Sequence, residues 1–185
     1  TLAELHRAEY RGPVVAVTGS VGKTTTKNML GFVLTRLLGA GTFTAGNQNN
    51  LLGAPLTVVR LDLGGPFMVL ELGSNAPGEI PRLAGLAAAG VAIITGVGAA
   101  HLEGFGDLAG VLKEKASLAR SLPATGLAIY PSADELLSAE AESWSCRTAT
   151  FGTNIDDAAR VNVKAAGETV AGEITIDGVA HAVEL

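Results

Sequence analysis

The chain has 185 residues, 48% hydrophobic and 17% charged, with a formal net charge of −5. That length fits one domain with a sizeable core, and so apolar a composition excludes a disordered chain. The acidic balance and the 4% aromatic content exclude the basic footprint and the stacking platforms of nucleic-acid binders.

Cys146 is the only cysteine, so no internal disulfide is possible, and its place after Trp144 in a polar stretch reads as inert. The first residues, TLAELHRAEYRG, are neither a signal peptide nor a membrane span. Every apolar run is broken by glycine, proline or charge well before the ~18 residues of a membrane helix. The expected setting is cytoplasmic, with no membrane span, and the expected state is a monomer.

Residues 1–11 read as a mixed-charge helical lead-in resembling a former linker. Residues 14–26, VVAVTGSVGKTTT, are a short apolar strand that breaks into a glycine-bearing loop and ends in Lys-Thr before a helical pattern. A glycine-rich turn lets consecutive backbone N–H groups point into one hollow, the following helix N-terminus adds positive potential, and Lys23 supplies a full charge. Thr24 is then placed to hold a magnesium ion. The strict motif has a glycine six residues before the lysine, where this chain has Val17, so the loop from Gly19 to Thr24 is a shortened variant.

Met29, Leu30, Phe32, Val33, Leu34, Leu37 and Leu38 recur at helical spacing and predict a helix over residues 23–38 packed on the sheet. A short strand at 42–45 leads into GNQNNLLGAP, residues 46–55, with three asparagines and two glycines. Asparagines commonly serve as turn formers, but loops at the carboxyl ends of parallel strands also border the ligand crevice. Asn47 or Asn50 therefore either shapes the turn or touches substrate or nucleotide. FMVLELG, residues 67–73, is a central-strand pattern that contains Glu71. A carboxylate inside such a run needs a partner, and the reading is a magnesium ligand or an acid facing the phosphates across the metal.

A helix over residues 77–88 and a buried strand over 91–97 follow, and the next loop carries His101 and Glu103. His101 stands just beyond a parallel strand and is a candidate metal ligand. The helix over 107–122 carries Lys113 and Lys115, which lie two apart, so only one of them faces the site. A strand at 127–130, a helix at 133–142 and a strand at 148–151 close the alternating pattern. Residues 160–185 then show period-two stretches and a hairpin signal at Asp177-Gly178. The fold class is α/β: a P-loop-type, mostly parallel sheet flanked by helices, residues 12–158, with a small antiparallel β extension over 159–185.

Four blocks, VTGSVGKTTT, GNQNNLLGAPLTVVRL, LELGSNAPGEI and TGVGAAHLEGFGDLAGVLKEKASL, together resemble the central ATPase domain of the Mur ligases. The last three look most like the member that adds D-Ala-D-Ala to UDP-MurNAc-tripeptide. The resemblance implies an ATP- and Mg2+-dependent amide ligase of cell-wall precursor synthesis, in which ATP phosphorylates a carboxylate and the incoming amine attacks the acyl phosphate. It implies that Thr18, Gly19, Ser20, Val21, Gly22, Lys23, Thr24, Thr25 and Asn47 bind the nucleotide. Lys23, Glu71, His101 and Lys115 are implied in catalysis, and Thr24, Glu71, His101 and a carbamylated Lys115 at the metals. An N-terminal UDP-sugar domain and a C-terminal amino-acid-binding domain are implied to lie outside this sequence, and the isolated piece is expected to be inactive.

Two departures stand out. Tyr130, Pro131, Ser132, Ala133 and Asp134 occupy a stretch where the family has an Asn-Ala-Asp pattern, and Ser117 stands where the family often has an acid. Two other readings remain at this point: the core of a related ligase, such as a folylpolyglutamate or cyanophycin synthetase, and a non-catalytic nucleotide-binding module.

Overall fold

The computed structural model describes residues 1–99, 102–166, 169–176 and 178–184. The elements run α1 (Leu2–Glu9), β1 (Val14–Thr18), α2 (Lys23–Leu38), β2 (Thr42–Phe43), α3 (Gly53–Val59), β3 (Met68–Glu71), α4 (Glu79–Ala87), β4 (Val91–Ile94), α5 (Leu102–Phe105), α6 (Leu108–Arg120), β5 (Leu127–Pro131), α7 (Glu135–Ala141), β6 (Arg147–Gly152), β7 (Ala159–Ala166), β8 (Thr169–Ile176) and β9 (Val179–Glu184). The strands form one sheet in the order β2-β3-β1-β4-β5-β6-β7-β8-β9. Pairing is parallel from β2 through β7 and antiparallel from β7 to β9.

The expected α/β class is therefore present, with one refinement at the C-terminal end. The antiparallel strands continue the main sheet, because β7 pairs with β6 at Phe151↔Ala159 and Gly152↔Arg160. Asp177 lies outside the described residues; Gly178, at φ +77°, follows it before β9.

The period of two along each strand divides the core. Val14 and Ala16 of β1, Met68 and Leu70 of β3, and Ala92 and Ile94 of β4 face a cluster built with α1, α3, α4, α6 and α7. Val17 and Val69 point to the opposite face, under α2. Glu71 continues the Phe67, Val69 parity and so also points beneath α2, where Lys27 is buried.

α2 spans the expected residues but meets the sheet through a different stripe. Leu30 and Leu34 pack on the core, and Gly31 is buried with its Cα hydrogen facing the Phe43 ring, where a Cβ would come within 3.1 Å. Met29, Phe32 and Leu37, expected to pack inward, are 66%, 67% and 73% exposed, outside the buried stripe. Beyond β4 this sheet face opens into an apolar hollow of about 440 Å3 lined by Met29, Val33, Ile93, Ile129 and Phe151.

The N-terminal lead-in is an integral part of the fold. Thr1 caps α1 through a capping box with Glu4. Ala3 and Tyr10 are buried, and Arg7 donates to the carbonyls of Ala87 (2.7 Å) and Ala88 (2.8 Å) at the end of α4. Among the described residues no helix is long and apolar enough to cross a membrane. Cys146 is buried, and Trp144 meets Tyr130 edge-to-face with centroids 5.5 Å apart, which makes that stretch a packing element.

Candidate active site

In an open parallel sheet the ligand crevice lies beyond the carboxyl ends of the strands, where the strand order reverses. Here that point is β1, flanked by β3 and β4, and the candidate side chains gather around its end. Three observations build the site: a loop with free amide donors, a buried acid beside it, and a buried lysine that feels the charge of Lys23.

The loop leaves β1 at Gly19, whose φ of +141° favours glycine and where a Cβ would stand 2.1 Å from Thr95 Oγ1. Thr95 ties the loop: its hydroxyl donates to Val21 O (2.5 Å), with Thr18 O (3.2 Å) as the alternative acceptor. The Ser20 hydroxyl donates to Gly98 O (3.1 Å) and accepts from Gly98 N (2.9 Å), while Ser20 N donates to Gly96 O (2.9 Å). Gly22, at φ +82°, turns the chain into α2 without a side-chain cap. Among the described residues the backbone N–H groups from Val21 to Thr25 have no backbone or side-chain acceptor, since the first turn of a helix provides none. A cradle of donors at a helix N-terminus is the electrostatic complement of a phosphate.

Lys23 folds back over this cradle and donates to Gly19 O (2.7 Å) and Ser20 O (3.2 Å). Burial pulls its ammonium below the usual lysine range, and the Glu71 carboxylate acts in the opposite direction.

Glu71 is fully buried at the end of β3, with Val17 of β1 as its register partner. Its Oε1 accepts from Thr24 Oγ1 (2.9 Å) and from Asn49 Nδ2 (2.7 Å). Lys27 Nζ lies 3.9 Å from Oε2 while donating to Thr44 O (2.8 Å) and Gly46 O (3.1 Å). Oε2 itself is buried with no hydrogen-bond partner. A buried carboxylate oxygen without a donor, next to a threonine hydroxyl, fits a hard cation with oxygen ligands such as Mg2+.

Of the two lysines on α6, Lys115 is the buried one and Lys113 is exposed. Lys115 Nζ donates to Ser74 Oγ (2.7 Å) and lies 5.7 Å from the centre of the Phe105 ring. Burial first, and the like charge of Lys23 second, bring its ammonium down to about 8, against the opposing pull of Glu114 and Glu79. Glu114 points elsewhere: it accepts from Gly78 N (2.8 Å) and Ile80 N (2.7 Å) and so seats the start of α4.

His101 lies outside the described residues. Asn47 is exposed and makes no side-chain hydrogen bond among the described residues; Asn50 caps its own turn by accepting from Leu52 N (3.0 Å) and Gly53 N (2.9 Å). The asparagine that reaches the acid is Asn49, which residue type and spacing did not distinguish from its neighbours. Thr18 turns its hydroxyl to Leu72 O (2.9 Å) and joins β1 to β3. The described residues contain no cluster of three His, Cys, Asp or Glu side chains; phosphate and water are the usual source of further oxygen ligands to such a cation. The apolar hollow under α2 carries no ionisable side chain.

Among known proteins, residues 17–184 match the Mur ligase middle domain. The chain belongs to the Mur ligase family. The Escherichia coli UDP-N-acetylmuramoyl-tripeptide--D-alanyl-D-alanine ligase is 44% identical over 128 residues, 69% of this chain and 28% of that enzyme. The crystal structure of MurF from Acinetobacter baumannii superposes with a TM-score of 0.89 at 32% identity, covering all of this chain and 41% of that one. MurF from Thermotoga maritima, solved in complex with ADP, gives a TM-score of 0.86 at 29% identity, covering 99% of this chain and 43% of its own. The Mur ligase chain described here thus spans less than half the length of these relatives.

Proposed function

We infer that this chain is the ATP-binding middle domain of a peptide ligase that adds D-Ala-D-Ala to UDP-MurNAc-tripeptide through an acyl phosphate. In this reading residues 12–158 are the nucleotide-binding core and 159–185 its antiparallel extension. A UDP-sugar-binding domain and an amino-acid-binding domain complete the working protein, which acts in the cytoplasm on soluble precursors. The observation that carries the reading is the fully buried Glu71, bonded to Thr24 at the phosphate-type loop and left with one unpartnered oxygen.

The loop amides from Val21 to Thr25 hold phosphate oxygens, and Lys23 moves from its own loop carbonyls to the γ-phosphoryl oxygens as charge grows there. Thr24 and Glu71, with His101, would hold Mg2+, which would neutralise phosphate charge. Lys115, bonded to Ser74 just beyond β3, is a lysine that sheds its proton near pH 8. Its neutral nitrogen can bond to the carbon of CO2 and release a proton, giving a carbamate whose negative charge suits a second metal. Thr18 acts by fixing the strand ends, and the exposed Asn47 is free to reach the nucleotide.

The complete protein should release ADP over many turnovers only when the tripeptide precursor and D-Ala-D-Ala are both present. Sustained multiple-turnover ADP release that ignores either substrate would overturn the ligase assignment. In the isolated chain, nucleotide affinity left unchanged by Lys23→Ala would overturn the assignment of the loop.

A further inference from the structure

Glu71 is gripped from two directions, and only Thr24 belongs to the loop motif. Asn49 supplies the other donor to Oε1, at 2.7 Å, from a loop 22 residues away in sequence. That loop is itself fixed: Asn49 O accepts from Gly73 N (2.7 Å), and a Cβ on Gly73 would fall 2.8 Å from the Asn49 side-chain amide. Asn49 is thus wedged against the chain that immediately follows the acid, with one polar atom directed at it.

The Lys27 ammonium waits on the other side, 3.9 Å from Oε2 and beyond hydrogen-bonding distance. With Oε1 held by two neutral donors, the carboxylate cannot swing toward that ammonium. An aspartate at position 49 would lack the donor, and an alanine would free Oε1 to rotate and let Oε2 close on Lys27. Either change spends on an internal ion pair the oxygen that now has no partner.

We propose that Asn49 is a positioning residue that holds Glu71 away from Lys27 and so keeps Oε2 available to a divalent cation. The inference rests on the nucleotide-binding reading. Hydrogen-bonded supports of metal-binding carboxylates typically account for about 10–100-fold in metal affinity, and that is the effect expected here.

The test titrates Mg2+ into the chain with a fluorescent ADP analogue and compares nucleotide affinity in Mg2+ and in EDTA. The expected result is that Asn49→Asp and Asn49→Ala raise the Mg2+ midpoint by about tenfold or more, while affinity in EDTA stays within about twofold. A simple loss of folding would lower both affinities together, and an unchanged Mg2+ midpoint in folded variants would overturn the proposal. A second measurement needs no variant: in a wild-type crystal with Mg2+ and nucleotide, the bond from Asn49 Nδ2 to Glu71 Oε1 must persist, and its absence overturns the proposal. Absence of nucleotide binding by the wild-type chain would instead refute the reading beneath it.

Discussion

Lys115 donates to Ser74 Oγ at 2.7 Å and lies close enough to Lys23 for the two ammonium charges to oppose one another. A buried lysine in that position is kept at a cost to stability. Its proton leaves near pH 8 in the folded chain and near the ordinary 10.5 when unfolded. Between those values the unfolded chain binds more protons, so stability rises with pH through the window, and the cost is fully present below it. Lys115→Met should therefore stabilise the chain at pH 7 by about 2 kcal/mol, after discounting for solvent screening, and flatten the rise between pH 8 and 10. Melting temperatures across that range check this; wild type and variant changing in parallel would contradict it. On the proposed ligase reading, the same change should abolish turnover of the complete protein.

Lys23→Ala should weaken nucleotide binding by about 10–100-fold, the worth of a hydrogen bond to a charged group. The folded chain should tolerate it, since the bonds from Lys23 are to carbonyls of its own half-buried loop. Removing this charge also removes one of the causes that depress Lys115, so the Lys115 proton should leave at higher pH. Calorimetric titration with nucleotide and an NMR titration of the Lys115 side chain read the two effects.

Two glycines should respond oppositely to alanine. Gly19→Ala meets both a φ of +141° and the Thr95 hydroxyl 2.1 Å from the new Cβ, and should cost about 1–3 kcal/mol. Gly85 lies within α4 with nothing within 4 Å of a new Cβ, so Gly85→Ala should stabilise by about 0.5–1 kcal/mol. Urea unfolding of the two variants gives the comparison directly.

Glu114→Ala strips the acceptor from two backbone N–H groups at the start of α4, one of them buried. The expected cost is about 2–3 kcal/mol, with Mg2+–nucleotide affinity unchanged because this acid serves the helix and not the cation. A matched loss of nucleotide affinity in folded protein would show that the division of labour between Glu71 and Glu114 is wrong.

The loop, Lys23, Thr24 and Glu71 were legible in the sequence because each carries a local contradiction: glycines at a strand end, or an acid in an apolar strand. Asn49 and Lys27 were not, because their meaning depends on partners that only the sheet brings near. Three asparagines in one loop are chemically alike until one of them is pressed against Gly73. Lys115 and Lys113 were separable only as a pair, since periodicity puts them on different faces without orienting the helix. The inward stripe of α2 was misjudged for a related reason: the side facing the sheet is set by Gly31 against Phe43 and by Lys27, neither of which stands out as an apolar anchor.

The pairing of Val17 with Glu71 has a mechanical consequence. Where the strict motif would begin its loop, this chain keeps a buried strand residue, so the separation between loop and acid is governed by ladder hydrogen bonds such as that from Leu72 N to Val17 O at 2.8 Å. Side chains carried on strands hold position more tightly than those on loops. The shortened loop thus transfers the tolerance of the site from the softest part of the chain to its stiffest. On the proposed reading, fluctuation of the surrounding turns can admit and release a nucleotide while the gap left for a cation stays constant.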